Sequence, residues 1–188
     1  MKAVLISIKP KYCELIASGK KTIEVRKSVP KLETPFKVYI YCTKDKYQHL
    51  YDLRPYTNGE ISLSLTQHNK TSLVPQNYWN GKVIGEFVCD RIDIDVVTLK
   101  PNGIEPCYWK LLNGTCLTKD ELMKYGKYKA LFGWHISNLL IYDKPKDLSE
   151  FKKAECDCPF PYVYMPPCPN CDERDIKRPP QSWCYVEV

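Results

Sequence analysis

The sequence predicts a mixed α+β fold, β-rich with short helices, in which a small β-barrel carries peripheral helices. Three observations lead there. About six short segments are rich in Val, Ile and aromatic residues, against only two or three short helical patterns. Strands and helices do not alternate in the sustained way a doubly wound sheet requires. The chain has 188 residues, 44% hydrophobic and 27% charged, so a single domain can bury its own core without crosslinks.

Each element has a local reason. Residues 2–8 form a short run of Val, Ile and Leu and predict a strand. Pro10 then opens a helix at the position where its missing N–H costs nothing. Tyr12, Leu15 and Ile16 give that helix an apolar stripe, and Gly19 stops it. Residues 22–27 alternate, with Thr22, Glu24 and Arg26 on one face and Ile23 and Val25 on the other, as in a half-buried strand. Residues 36–43 predict a third strand, with Val38, Ile40 and Cys42 on one side and Tyr39 and Tyr41 on the other. Residues 44–80 are polar and read as an insertion with little structure of its own. Residues 81–97 predict a long strand that bends near Cys89 and Asp90. Residues 98–117 read as loop, with Pro101, Gly103, Pro106 and Gly114. The run Thr118-Lys-Asp-Glu121 is a capping box for a helix ending near Tyr125. Residues 134–142 and 183–188 complete the strands, and residues 147–152 offer a turn of helix.

Charge narrows the function. The net charge is +6, and residues 1–50 hold 11 basic against 4 acidic side chains, so the basic excess lies in the first quarter. Such a face suits a polyanion such as RNA or DNA; a solvated lysine surface is the plain alternative. No run of about 18 apolar residues occurs, which argues against a membrane helix and a membrane partner. The apolar segment at 4–8 is too short for a signal peptide, so a cytoplasmic protein is the expectation.

The most informative segment is Ser18-Gly-Lys-Lys-Thr-Ile-Glu-Val-Arg-Lys27: a helix end, a tight turn and the start of a strand. Glu24 and Arg26 share a strand face, where an ion pair would hold the guanidinium in a fixed pose suited to a phosphate or a base edge. Gly19, Lys21, Glu24 and Arg26 resemble the Gly-x-Lys-x-x-Glu-x-Arg signature of the ASCH family, a branch of the PUA-like superfamily. Ile8-Lys9-Pro10 before it, residues 38–41 and 81–87 after it, Lys144-Pro145 through Phe151, and residues 178–186 resemble further segments of that family in the same order.

The resemblance implies a single PUA-like domain over residues 1–188, interrupted by insertions at 44–80 and 154–177, with a cleft that binds RNA or a modified nucleobase. The expected contacts are Lys9, Gly19, Lys21, Glu24, Arg26 and Tyr41, with Gln181 and Ser182 on the opposite rim. Some relatives look like amidohydrolases of acetylated cytidine and others like ribonucleases. An enzyme on this cleft is therefore the alternative, with Lys21 and Glu24 as candidate catalysts. The amidohydrolase pattern has a threonine where this chain has Glu24; Thr22 is a neighbour on the same strand face. His135 is a further ribonuclease candidate, although a lone His beside Trp134 at a strand start reads first as structural. A third reading is a protein-interaction module that uses the insertions.

Half of the ten cysteines lie in the last 33 residues. Cys156-x-Cys158 and Cys168-x-x-Cys171 could supply a four-thiolate structural zinc site in a Pro-rich segment that has no apolar core. A disulfide pair and free thiols are the competing readings. Four thiolates leave no open position on the metal, so zinc would be structural. No motif calls for an organic cofactor.

Overall fold

A computed structural model describes residues 2–44, 79–95, 97–100, 103–106, 109–154 and 174–187. Most of the 44–80 insertion, and Cys156, Cys158, Cys168 and Cys171 of the proposed zinc site, lie outside these residues.

The strands are β1 (Lys2–Ile8), β2 (Ile23–Arg26), β3 (Phe36–Cys42), β4 (Val83–Asp95), β5 (Val97–Lys100), β6 (Gly103–Pro106), β7 (Leu131–Lys146) and β8 (Trp183–Glu187). The helices are α1 (Pro10–Ala17), α2 (Trp109–Leu112) and α3 (Lys119–Gly126), with a 3₁₀ turn at Leu148–Glu150. Six strands form one sheet in the order β2-β7-β4-β3-β1-β8, while β5 and β6 form a separate hairpin. β1 runs parallel to β3; the other neighbours are antiparallel.

β1 is buried on both faces, and its sequence says why. Val4, Ile6 and Ile8 point into the main core with Val38, Ile40, Phe87 and Trp134. Ala3 and Leu5 point into a second core with Tyr39, Tyr41, Val83 and Phe151. A third cluster joins Ile23 and Val25 to Leu111, Leu122 and Leu131. β2 is therefore buried on both faces and not half-exposed, because its charged face is covered as well.

The barrel expectation is corrected: the sheet is open, with β2 and β8 at its edges. Register shifts in β4 between Val83 and Gly85, Glu86 and Val88, and Cys89 and Ile92 mark the bulges that curl it. The curl brings the two edges together through side chains without joining them by backbone pairing. Trp134 on β7 meets Trp183 on β8 with ring centroids 6.1 Å apart. Trp183 Nε1 donates to Ser28 Oγ at 3.1 Å, and the Lys31 N–H donates to Tyr185 Oη at 2.6 Å.

The 98–117 loop expectation is also corrected, since this stretch contains β5, β6 and α2. Four-residue elements are too short to show a period. α3 starts where its capping box predicts. The Glu121 N–H donates to Thr118 Oγ1 at 3.2 Å, and Glu121 Oε2 accepts the Thr118 N–H at 2.8 Å. Thr118→Ala should cost about 1 kcal/mol in urea denaturation. It should also loosen the wall that α3 contributes to the site below.

Candidate functional site

The signature residues are held by two turns. Gly19 follows α1 with φ +71°, a conformation that a side chain would strain, and so ends the helix. Gly114, at φ +83°, brings a second loop against β2; a Cβ there would lie 2.5 Å from Thr22 Oγ1. The Gly114 carbonyl accepts the N–H groups of Thr22 and Ile23 at 2.8 and 2.9 Å. Thr22 thus faces the Gly114 loop and is not among the cleft-lining residues.

Lys21 is buried beside this junction. Its ammonium donates to the carbonyls of Ile23 and Thr115, both at 2.8 Å, and lies 3.4 Å from Glu24 Oε2. Glu24 Oε1 is 3.0 Å from Arg26 Nη2, which also donates to the Ser7 carbonyl at 2.7 Å. Side-chain exposures of 2% for Lys21 and 9% for both Glu24 and Arg26 make this an interior ion triad and not a surface pair. It carries one anion and two cations. Arg26 reaches from β2 to β1, and Ser7 Oγ donates to the Pro180 carbonyl at 2.6 Å. The triad therefore ties one sheet edge to the segment that leads into the other.

Above the triad opens a cleft of about 800 Å³. Its floor is Lys21, Glu24 and Arg26; the end of β1 and the start of α1 give Ser7, Lys9 and Tyr12; α3 gives Glu121, Lys124 and Tyr125; the far rim is Pro179–Ser182. Of the expected contacts, Lys9, Lys21, Glu24, Arg26, Gln181 and Ser182 converge here. Gly19 and Tyr41 do not line the cleft. Tyr41 lies in the second core, 3% exposed, on the other face of β3 from the main core. His135 is not a lining residue either; its Nε2 is 2.8 Å from Asp93 Oδ2, and Arg91 Nη2 is 3.0 Å from the same nitrogen.

The sequence reading missed Tyr12, Leu117, Glu121, Lys124 and Tyr125 as cleft residues. A signal for the last three was present. Positions 121, 124 and 125 are spaced i, i+3, i+4, so the capped helix presents them on one face. Burial, then the Glu121 and Glu24 carboxylates, push the Tyr12 hydroxyl up from its usual value. Burial also raises the Tyr125 hydroxyl, against the pull of the nearby Arg26 charge. The Lys21 ammonium lies 5.5 Å from the Tyr12 ring centre, and Lys27 Nζ lies 4.6 Å from that of Tyr125.

Glu14 on α1 is 9% exposed, and its Oε1 has no hydrogen-bond partner among the described residues. Burial pushes its carboxyl up from 4.5 to about 7. The folded protein thus favours the protonated form. Its contribution to stability is complete below the unfolded value and is lost as pH rises through about 7. Glu14→Gln should remove that loss, so thermal melts at pH 5 and pH 8 should differ less for the variant than for the parent.

Among the described residues, no group of three or more His, Cys, Asp or Glu side chains is placed to hold a metal, and no helix is long and apolar enough to cross a membrane.

Residues 6–98 match the ASCH domain model, a span that includes β1, α1, the signature turn, β2, β3 and β4. No curated protein matches the sequence. The fold is similar to the crystal structure of ASCH from Zymomonas mobilis, with a TM-score of 0.55 and 17% identity, covering 98% of this chain and 87% of that one. A point variant of the Zymomonas mobilis protein gives a TM-score of 0.54 at 17% identity, covering 100% of this chain and 91% of its own. The matched segment contains the residues on the cleft floor, and the chain carries an ASCH domain.

Proposed function

We propose that the cleft binds RNA through an unstacked nucleobase, plain or modified. The observation that carries this reading is the convergence of Lys9, Lys21, Arg26 and Lys124 with only Glu24 and Glu121 opposing them, beside Tyr12 and Tyr125. Cations neutralise phosphate, and tyrosine faces stack on unpaired bases. The cations divide by burial. Lys21 and Arg26 are buried and held by protein acceptors, whereas Lys9 and Lys124 are exposed at the rim. In this reading the rim lysines meet phosphate, and the triad shapes the floor.

The same division favours binding over proton transfer at Lys21. Two of its three N–H directions are taken by the Ile23 and Thr115 carbonyls, and Glu24 Oε2 stands 3.4 Å away as an ion-pair partner. A lysine so engaged is held in its charged, donating form by protein groups, which suits a structural cation better than a proton-transfer group.

The test is fluorescence anisotropy with a labelled single-stranded RNA over a range of salt concentrations. Affinity should fall as salt rises, and Lys9→Ala and Lys124→Ala should each reduce the slope of log K against log salt by about 0.7. Affinity and slope unchanged in the double variant would contradict the reading.

A further inference from the structure

Val25 lines the cleft although its side chain is packed in the third core cluster with Leu111, Leu122 and Leu131. The part of Val25 that meets the cleft is therefore its main chain, and the register of β2 shows how that main chain is turned. Ile23, Glu24, Val25 and Arg26 stand opposite His135, Trp134, Gly133 and Phe132 of β7. The Thr22 carbonyl accepts the Ile136 N–H at 2.9 Å. In an antiparallel pair, hydrogen-bonded and non-hydrogen-bonded positions alternate. The Thr22 carbonyl and the main-chain groups of Glu24 and Arg26 thus turn toward β7, while Ile23 and Val25 turn theirs to the free edge.

Ile23 bears this out, since its N–H donates to the Gly114 carbonyl and its carbonyl accepts from Lys21. The Gly114 loop and Lys21 cover the edge as far as Ile23 and stop there. Val25 is the next outward-facing position, and nothing among the described residues pairs with its N–H or its carbonyl. The cleft thus holds an adjacent donor and acceptor, fixed by the strand, with the Glu24 and Arg26 side chains to either side.

We infer that the main-chain N–H and carbonyl of Val25 form a two-point edge that pairs with the Watson–Crick edge of the bound base. Adenine, cytosine and uracil each present a neighbouring donor and acceptor there, so the contact recognises an unpaired base and excludes one engaged in a duplex. An added peptide strand fits less well. Pairing along an edge needs several free residues, and Ile23 is already occupied. The inference rests on the nucleic-acid reading of the cleft and adds which atoms read the base.

The test uses the ¹⁵N-labelled full chain with uridine 5′-monophosphate and N3-methyluridine 5′-monophosphate, whose methyl group removes the base donor. The unmodified nucleotide should move the Val25 amide proton downfield and slow its exchange with solvent. The methylated one should bind about tenfold more weakly, the worth of one lost hydrogen bond in a buried site. Val25→Pro removes an N–H that faces away from β7, so it spares the β2–β7 ladder. It should lose about tenfold in affinity for uridine 5′-monophosphate. If Val25→Pro does not fold, amide exchange in the parent decides. Equal binding of both nucleotides, or cleft shifts without any response at Val25, overturns the edge contact alone. If neither nucleotide nor single-stranded RNA perturbs the cleft, the nucleic-acid reading falls and the edge contact falls with it.

Discussion

Glu24→Ala should lower stability by about 3–5 kcal/mol, enough to drop the melting temperature of a domain of this size by roughly 10 °C. The carboxylate faces Lys21 at 3.4 Å and Arg26 at 3.0 Å, and all three side chains are at least nine-tenths buried. Removing it leaves two cations in the interior with only carbonyl acceptors. The sign follows from desolvation: a complete buried ion pair contributes little net, but half of one is costly. A matched control separates stability from function. Replacing Lys21 by Met, Glu24 by Leu and Arg26 by Met together should restore much of the lost stability, because no unpaired charge remains, yet leave RNA binding impaired. Urea denaturation gives the first quantity and anisotropy the second. A loss below about 1 kcal/mol for Glu24→Ala would mean that water screens the triad as it screens surface pairs.

Trp134→Ala should be comparably severe, at about 3–5 kcal/mol. Trp134 is fully buried in the main core. Its ring meets Phe36 edge-on at 5.7 Å and Trp183 at 6.1 Å, and Trp183 in turn meets Tyr185 at 5.4 Å. These rings run from β3 and β7 to β8. They fill the space inside the curl, where backbone pairing does not join the sheet edges. Losing the central ring opens a cavity and removes the contact that brings β8 toward β2. Binding should therefore weaken along with the melting temperature. Trp134→Phe should recover part of both.

How far the sequence is legible follows from the same physics. Elements with a strong local cause are readable: β1 from its apolar run, α1 from Pro10 and Gly19, α3 from its capping box, and the bend in β4 from the break at Cys89 and Asp90. The alternation in β3 correctly assigns Val38 and Ile40 to one core and Tyr39 and Tyr41 to the other. That same assignment carries Tyr41 away from the cleft: strand parity was read correctly, but the face on which the site lies was not. Whether a curled sheet closes is a long-range property of its edges, and no short window encodes it. The open edge at Val25 is likewise invisible in sequence, because it depends on where the Gly114 loop stops.

The charged signature was legible as a set, and its burial was not. Glu24 and Arg26 alternate with apolar residues, so they read as the exposed side of β2. Tertiary packing covers that side with the end of β1, with α1 and with α3. Tyr12 reads as part of the apolar stripe of α1, and only its position beside Glu24 and Glu121 makes it a cleft residue.

The central claim is that nucleic acid enters the cleft between β2 and the Pro179–Ser182 rim. Photo-crosslinking tests it most directly. A single-stranded RNA carrying 4-thiouridine would be irradiated with the full chain and the modified peptides identified by mass spectrometry. Crosslinks are expected at Tyr12 and Tyr125, on the two helices that wall the cleft, and should diminish in the Lys9→Ala, Lys124→Ala double variant. Crosslinks confined to the Arg91–His135 surface or to the Tyr142–Phe151 side, unchanged in the double variant, would contradict it.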